Sequence, residues 1–527
     1  MAGVTTLSLA TSVYIAESSA CIGTGLFAVD DLDSGQLICR VSQPLVTSLD
    51  AARLVDTCSN CYVWTEGGST GSRLYVKEGT KVQACAGCKR FRYCSKACQK
   101  QAWKRGHKQE CKIFSQLGDK KIPNIVLACI VLLIRMKSGV ITEQVWLPIM
   151  ELNAHIDDFK QNGTYDDIEK MALGAQQLSF SSHQLELHIV TGLYARILTN
   201  CLTLITPTFD PLGIVMDPLL GRFNHSCDPN AFMVMDGPEV SIRTLKPIKT
   251  EEEIYISYID TTNPYARRQK ELKSSWFFTC KCSKCEKGPI QSEDNWAIRA
   301  QDMSDEWKQQ ADSIIAREEY NPGPINYVGN SKDEERVAAL QTVVFWMYDE
   351  EQKVSDPAEA IDMIKHGMIY CIKTGLWPLY RQPYAALRDD AIVNLLSLGS
   401  YEIAWAHCAK RYRYIHPRLY PQAFHPVRVV QTWQMAMLAL YLASTQAMVA
   451  PQADMALIAY MLIMEVRDAS KSSHGEENAF TKSVSAKFDE MTVEFRDKLG
   501  AGADAALSDE MPRQRRLLAE MGDRLGE

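Results

Sequence analysis

The spacing of apolar positions changes several times along the chain, and each change predicts a different kind of element. Near the start the apolar residues come in short blocks: Leu26 to Val29, then the turn formers Asp33, Ser34 and Gly35, then Leu37 to Val41. Short blocks broken by such residues predict strands. From Ile122 to about Leu204 the pattern becomes helical, with an unbroken apolar run from Ile125 to Ile134. A bilayer span takes about twenty such residues, so this run predicts a buried helix and no membrane segment. Strand-like blocks return between Gly213 and Asp260, among them Val240 to Ile242 and Ile254 to Tyr258.

Beyond about residue 292 the pattern is helical throughout. Ile361, Ile364, Met368 and Ile372 recur at spacings of three and four and stop before Gly375. Leu387, Ala391, Leu395 and Leu398 do the same and stop before Gly399. Further helices are expected from Tyr401, from Pro426 and from about Ala453. Helices of this length joined by short loops suggest stacked hairpins of tetratricopeptide type, although no strict repeat signature is present. The last thirty or so residues, rich in Ala, Gly, Arg and Glu, read as a loosely docked or frayed tail.

Length adds that 527 residues exceed what one core usually organises, so several folding units are expected. The opening twenty residues have no basic stretch, and Thr, Ser and Glu interrupt their apolar positions, which does not fit a secretory leader. The formal net charge of -7 argues against whole-protein nucleic-acid binding. One local region differs: from Lys89 to Lys112 there are nine Lys or Arg against the single Glu110.

The 17 cysteines change the picture most. Six of them (Cys21, Cys39, Cys129, Cys201, Cys371 and Cys408) are scattered among apolar neighbours and read as reduced core residues. The other eleven cluster. The first cluster runs Cys58-x2-Cys61, Cys85-x2-Cys88, Cys94-x3-Cys98 and His107-x3-Cys111. Zinc takes four N or S ligands in a tetrahedron, and a pair two or three residues apart supplies two of them from one turn or one helix face. Eight ligands in four pairs fit two ions. The second cluster, Cys280-x-Cys282-x2-Cys285, supplies three thiolates and needs a fourth donor, for which Cys227 is the natural choice.

The stretch CAGCKRFRYCSKACQKQAWKRGHKQEC resembles a MYND zinc finger, with its Tyr-Cys and Trp-x3-His spacings. That resemblance implies cross-bracing, with Cys58, Cys61, Cys94 and Cys98 on one ion and Cys85, Cys88, His107 and Cys111 on the other. The interval from Cys61 to Cys85 is longer than is usual there, so an inserted loop is expected. Four further segments resemble SET-domain motifs in order: Gly23 to Ala28, Asn200 after a helix, Gly221 to Asn230, and Glu253 to Asp260. A cysteine-rich post-SET segment follows at Cys280 to Cys285, and Phe424 to Arg428 resembles the C-terminal helical region of the same family. Together these are similar to the SET and MYND domain family of protein lysine methyltransferases.

The resemblance implies an α+β fold: a β-rich SET domain split by a MYND zinc module, with a post-SET zinc segment and an all-α tetratricopeptide-like C-terminal domain. The expected boundaries are 1–57 and 205–275 for the SET parts, 58–111 for the zinc finger, 112–204 for a helical insertion, 276–290 for the post-SET segment, 291–500 for the helical domain and 501–527 for the tail. It implies S-adenosylmethionine and three zinc ions as cofactors, a protein substrate with a target lysine, partner proteins at the finger, a monomer, and residence in nucleus and cytoplasm. An accessory nucleic-acid contact through Lys89 to Lys112 is a further expectation.

Among site residues the resemblance implies Tyr258 beside the attacking nitrogen, and Gly23, Thr24, Gly25, Asn200, Asn224, His225, Tyr258 and Phe278 around the cofactor, with Trp276 and Phe278 forming an aromatic wall. The pattern is departed from at two places. Thr24 stands where a longer Arg, Lys or Asn is expected. Arg222 and Phe223 replace aliphatic residues, and Arg222 faces either the substrate channel or a local carboxylate. A second reading is a catalytically silent adaptor that binds partners through its finger and helical domain; retention of Tyr258, Asn224 and His225 together favours the enzyme.

Overall fold

The computed structural model describes residues 12–21, 23–65, 79–118, 120–289, 342–373, 379–500 and 503–524. The loop expected between Cys61 and Cys85, the helices expected over 292–341 and the stop at Gly375 lie wholly or largely outside them. The chain divides into two compact units. The first holds Met1–Tyr258, Leu272–Thr279 and Asn478–Phe480; the second holds Ile259–Glu271, Cys280–Glu477 and Thr481–Glu527.

In the first unit short strands build several small sheets. Strands β1 (Val13–Glu17) and β2 (Thr24–Ala28) form an antiparallel hairpin, with Glu17 opposite Thr24 at its turn end. Strands β3 (Leu37–Val41), β10 (Ala231–Asp236) and β11 (Glu239–Thr244) form a second sheet in the order β10-β11-β3. A third, in the order β4-β8-β7, joins β4 (Val46–Leu49), β8 (Pro211–Met216) and β7 (Leu202–Ile205). The two-residue strands β9 (Asn224–His225) and β12 (Tyr255–Ile256) run parallel, with Asn224 opposite Tyr255.

The apolar run is the helix Asn124–Lys137, in which every residue from Val126 to Ile134 is buried. It packs against β4 and the helices Tyr165–Leu178 and Leu187–Asn200. A helix apolar all round must be buried on all sides. Leu132 and Leu133 are wholly shielded, so each contributes about 1.5–3 kcal/mol of apolar burial. No helix among the described residues is long and apolar enough to cross a membrane.

The second unit is helical wherever it is described beyond the third cysteine group. Pro357–Lys373 packs on Tyr384–Ser397, Tyr384–Ser397 on Tyr401–Lys410, and Pro426–Ser444 on Met455–Ser473. The starts at Tyr401 and Pro426 are those the sequence predicts. Pro426 occupies the first helical turn, where its missing N–H costs nothing. Asp454 caps the helix after it, accepting from the N–H groups of Ala456 and Leu457.

The frayed tail expected over 501–527 is corrected. Ala503–Arg524 is a helix that buries Gln514, Leu518 and Met521, and the Trp405 indole N–H donates to the Met521 sulfur. Its Ala and Arg content favours helix. The docking face, formed by a few residues a turn or so apart, is what composition conceals.

Candidate functional site

Two four-ligand groups assemble within the zinc-finger stretch. Strands β5 (Gln83–Ala84) and β6 (Arg92–Tyr93) pair, and the turn between them carries Cys85 and Cys88. The space is tight: a Cβ on Gly87 would lie 2.6 Å from the Cys111 sulfur, so only glycine fits. The Ser95 side chain caps the helix Lys96–Ala102 by accepting from the Cys98 N–H, which sets Cys98 one turn from Cys94. Cys58, Cys61, Cys94 and Cys98 converge in one group, and Cys85, Cys88, His107 and Cys111 in another, with all ligand atoms of a group within 4.8 Å.

The separations suit zinc. Cys61 to Cys94 is 3.6 Å, Cys94 to Cys98 3.5 Å and Cys85 to Cys111 3.7 Å, while His107 Nε2 lies 3.4 Å from the Cys85 sulfur. Zinc–sulfur bonds of about 2.3 Å in a tetrahedron put sulfurs about 3.8 Å apart. The alternation of pairs along the chain is the cross-bracing that the resemblance to a MYND finger implies. His107 turns Nε2 towards the thiols and Nδ1 towards Glu110 Oε2, 3.5 Å away. Glu110 in turn accepts from Arg135 Nε at 2.7 Å, and Arg135 Nη1 donates to the Leu45 carbonyl. Burial alone would raise the Glu110 pKa, but the Arg135 charge and the His107 contact hold it below the ordinary carboxylate value. This chain of contacts orients the histidine and ties the zinc module to the helix Asn124–Lys137.

A third group lies in the second unit. The sulfurs of Cys280, Cys282 and Cys285 come within 4.8 Å of one another. Gln269 clamps its start, accepting from the Cys280 N–H and donating to the Cys280 carbonyl, both at 2.9 Å. Cys227 belongs to the first unit, where it is buried with its sulfur 3.3 Å from His225 Nε2.

The remaining candidates gather where three stretches distant in sequence meet. The Ile254 N–H donates to the Leu26 carbonyl, and Phe27 bridges Glu253, so β2 lies beside residues 253–254. The pairing of β9 with β12 then adds Asn224 and His225. The Tyr258 N–H donates to His225 Nδ1 at 3.0 Å, which fixes Nδ1 as the acceptor and leaves the proton of the neutral ring on Nε2. The Tyr258 hydroxyl donates to the Phe223 carbonyl at 2.6 Å. Burial first, and then the nearby charges of Cys21 and Glu253, push the phenol's pKa above its ordinary value, so it stays neutral.

Aromatic rings wall the same place. Tyr258 lies 5.3 Å, centroid to centroid, from both His225 and Trp276, and Phe278 is 6.0 Å from His225. Phe277, with a positive φ of 63°, packs instead on Phe159 and His155.

Other candidates fall differently. Asn200 donates to the carbonyls of Asn153 and Arg196, closing the helix Leu187–Asn200, and among the described residues makes no hydrogen bond to Asn224, His225 or Tyr258. Thr24 Oγ1 accepts from Arg222 Nη1 at 3.0 Å, while Arg222 Nη2 pairs with Glu151 at 2.6 Å. Arg222 therefore faces a local carboxylate. Gly23 turns with φ 98°, and Gly25 is pressed against Glu253: a Cβ there would lie 2.1 Å from Oε1.

Glu253 is the residue the sequence reading passed over as a site residue. Its buried carboxylate accepts from Ser18 Oγ at 2.8 Å, Asn224 Nδ2 at 2.7 Å and the Tyr255 hydroxyl at 2.6 Å. The available signal was an acid followed directly by the apolar alternation Ile254, Tyr255, Ile256.

A family model described as the SET domain matches residues 23–259. The chain is 36% identical over 270 residues to SET domain and MYND-type zinc finger protein 6 of Schizosaccharomyces pombe, covering 50% of each chain. It is 25% identical over 494 residues to histone-lysine N-methyltransferase ASHR1 of Arabidopsis thaliana, covering 90% of this chain and 94% of that one. With histone-lysine N-methyltransferase SMYD3 of Homo sapiens the identity is 24% over 414 residues, covering 77% and 89%. The chain thus spans about half the length of the first relative and most of the other two. The SET match encloses the two cross-braced four-ligand groups, and the similarity to these SET and MYND domain relatives continues into the helical region.

Proposed function

We propose that the chain transfers a methyl group from S-adenosylmethionine to the side-chain amine of lysine in a protein substrate, histone or non-histone. The observation that carries this reading is the convergence of Asn224, His225 and Tyr258 beneath Trp276 and Phe278. When bound, S-adenosylmethionine supplies an electrophilic methyl on a sulfonium. In the transfer the amine lone pair forms the nitrogen–carbon bond, and the carbon–sulfur pair of electrons returns to sulfur.

Only a neutral amine has that lone pair. A free lysine with a pKa of about 10.4 is protonated at neutral pH, so the site must favour its neutral form. Aromatic walls that exclude water disfavour the ammonium by desolvation and hold the amine in line. The Tyr258 hydroxyl donates its hydrogen bond to the Phe223 carbonyl, so its oxygen presents lone pairs that can accept from the amine's N–H and aim the nitrogen. Rings facing the sulfonium add cation–π attraction of about 0.5–2 kcal/mol. Asn224 and His225 would hold the polar end of the donor; Gly23, Thr24 and Gly25 would line it, with Asn200 at its edge.

A third zinc is held by Cys280, Cys282 and Cys285 with one further donor, completing three ions per chain. The finger docks partner proteins, its face from Lys89 to Lys112 makes an accessory nucleic-acid contact, and the protein acts as a monomer in nucleus and cytoplasm. Calorimetry with S-adenosylmethionine tests the reading. The expected result is saturable binding that the Asn224→Ala variant weakens at least about tenfold. No binding by the zinc-loaded wild type would leave the adaptor role in its place.

A further inference from the structure

Glu253 does something no zinc ligand or aromatic wall explains. The residue is only 6% exposed, yet all three of its described side-chain partners are neutral donors: Ser18 Oγ, Asn224 Nδ2 and the Tyr255 hydroxyl. Among the described residues no Lys, Arg or His lies within ion-pair distance of it. The nearby cation, Arg222, is committed to Glu151 and Thr24. A buried carboxylate without a counter-ion is costly, and an apolar or amide side chain would fill the same space at lower cost. A site that retains the charge uses it.

Two consequences follow from the geometry. The first concerns Asn224. A carboxylate only accepts, so the Asn224 group facing Glu253 Oε1 must be its NH2. The same nitrogen is 3.3 Å from the Thr24 carbonyl. Both amide protons are thereby taken within the protein, and the Asn224 carbonyl oxygen is turned away from Glu253 as an acceptor. The second concerns charge. Glu253 lies directly against Gly25, the β2 residue that closes the Gly-x-Gly stretch, and its field reaches the phenols of both Tyr255 and Tyr258.

We propose that Glu253 is a positioning and selectivity residue of the methyl-donor site: it locks the Asn224 amide with its carbonyl towards the donor, and its negative charge favours the cationic donor over the uncharged-sulfur product. This inference rests on the proposed S-adenosylmethionine reaction and deepens it. S-adenosylmethionine carries one more positive charge than S-adenosylhomocysteine, so a nearby carboxylate stabilises the first and is indifferent to the second. Exchange of product for fresh donor is then driven partly by this residue.

The test is titration calorimetry of the zinc-loaded full chain with S-adenosylmethionine and with S-adenosylhomocysteine, for wild type, Glu253→Gln and Tyr255→Phe. Glu253→Gln keeps the shape and removes the charge, so it should weaken S-adenosylmethionine by roughly tenfold while changing S-adenosylhomocysteine by less than about threefold. Tyr255→Phe leaves the carboxylate in place and should preserve the preference for the cation, which keeps the proposal testable if Glu253→Gln folds poorly. Equal weakening of both ligands by Glu253→Gln, or loss of the preference in Tyr255→Phe, would overturn it as a merely structural residue. A wild type that binds neither ligand would instead overturn the underlying reaction together with this inference, whereas a wild type that binds both and shows the equal-loss pattern sinks the inference alone.

Discussion

The zinc module and the methyl-donor cradle lie in the same unit and are built on opposite plans. In the module, eight ligands fall within one stretch from Cys58 to Cys111, each pair is held by one turn or one helix, and the binding chemistry itself supplies much of the folding energy. In the cradle, Ser18, Gly25, Asn224, Glu253 and Tyr258 come from three stretches, held by sheet pairing and a few short hydrogen bonds, of which that between Ser18 and Glu253 spans 235 residues. The module's geometry is dictated by a metal, whereas the cradle's is dictated by everything packed around it. The module should therefore fail abruptly when one ligand is lost, and the cradle gradually.

Removing metal should have the largest effect. A structural zinc site contributes on the order of 10 kcal/mol to folding, so chelation, or Cys88→Ser, should unfold the module. Elemental analysis of the wild type should give three zinc ions per chain, and the Cys88→Ser variant one fewer; a wild-type count of one would break the comparison at its root. Next comes Tyr258→Phe, which deletes the hydroxyl bonded to Phe223. Methyl transfer should fall about a hundredfold or more while the melting temperature moves little, because only one buried hydrogen bond is lost. Glu110→Gln keeps the first ligand sphere but weakens the hold on His107. Competition with a metal-binding dye should show zinc affinity lowered by about ten- to a hundredfold. The smallest expected effect is that of Ser95→Ala, which removes the cap of the helix Lys96–Ala102 and should cost about 1 kcal/mol in thermal unfolding, with zinc count and methyl transfer unchanged.

The same contrast governs what could be read from sequence. Ligand spacing is local, so both four-ligand groups were legible from the pairs themselves, and cross-bracing from the resemblance. Helices with strong periodicity, such as Tyr384–Ser397, were equally legible. Glu253 was not, because its significance comes from Ser18 and Asn224 meeting it through β12 and β9, and no spacing rule encodes that. Arg222 could be narrowed only to two destinations, since Glu151 reaches it from another helix terminus. The terminal helix Ala503–Arg524 reads from sequence as a loosely docked or frayed tail because its buried residues among those described are few, and one of them, Gln514, is polar.

The central claim is that Tyr258, His225 and Asn224 serve methyl transfer to a lysine amine. It is tested most directly by incubating the zinc-loaded protein with isotopically labelled S-adenosylmethionine and a cell extract, then locating the label by mass spectrometry. The account predicts labelled methyl groups on lysine side-chain nitrogens of one or a few proteins, absent when Tyr258→Phe replaces the wild type. Label on any other kind of side chain, or labelling that survives Tyr258→Phe undiminished, would contradict it.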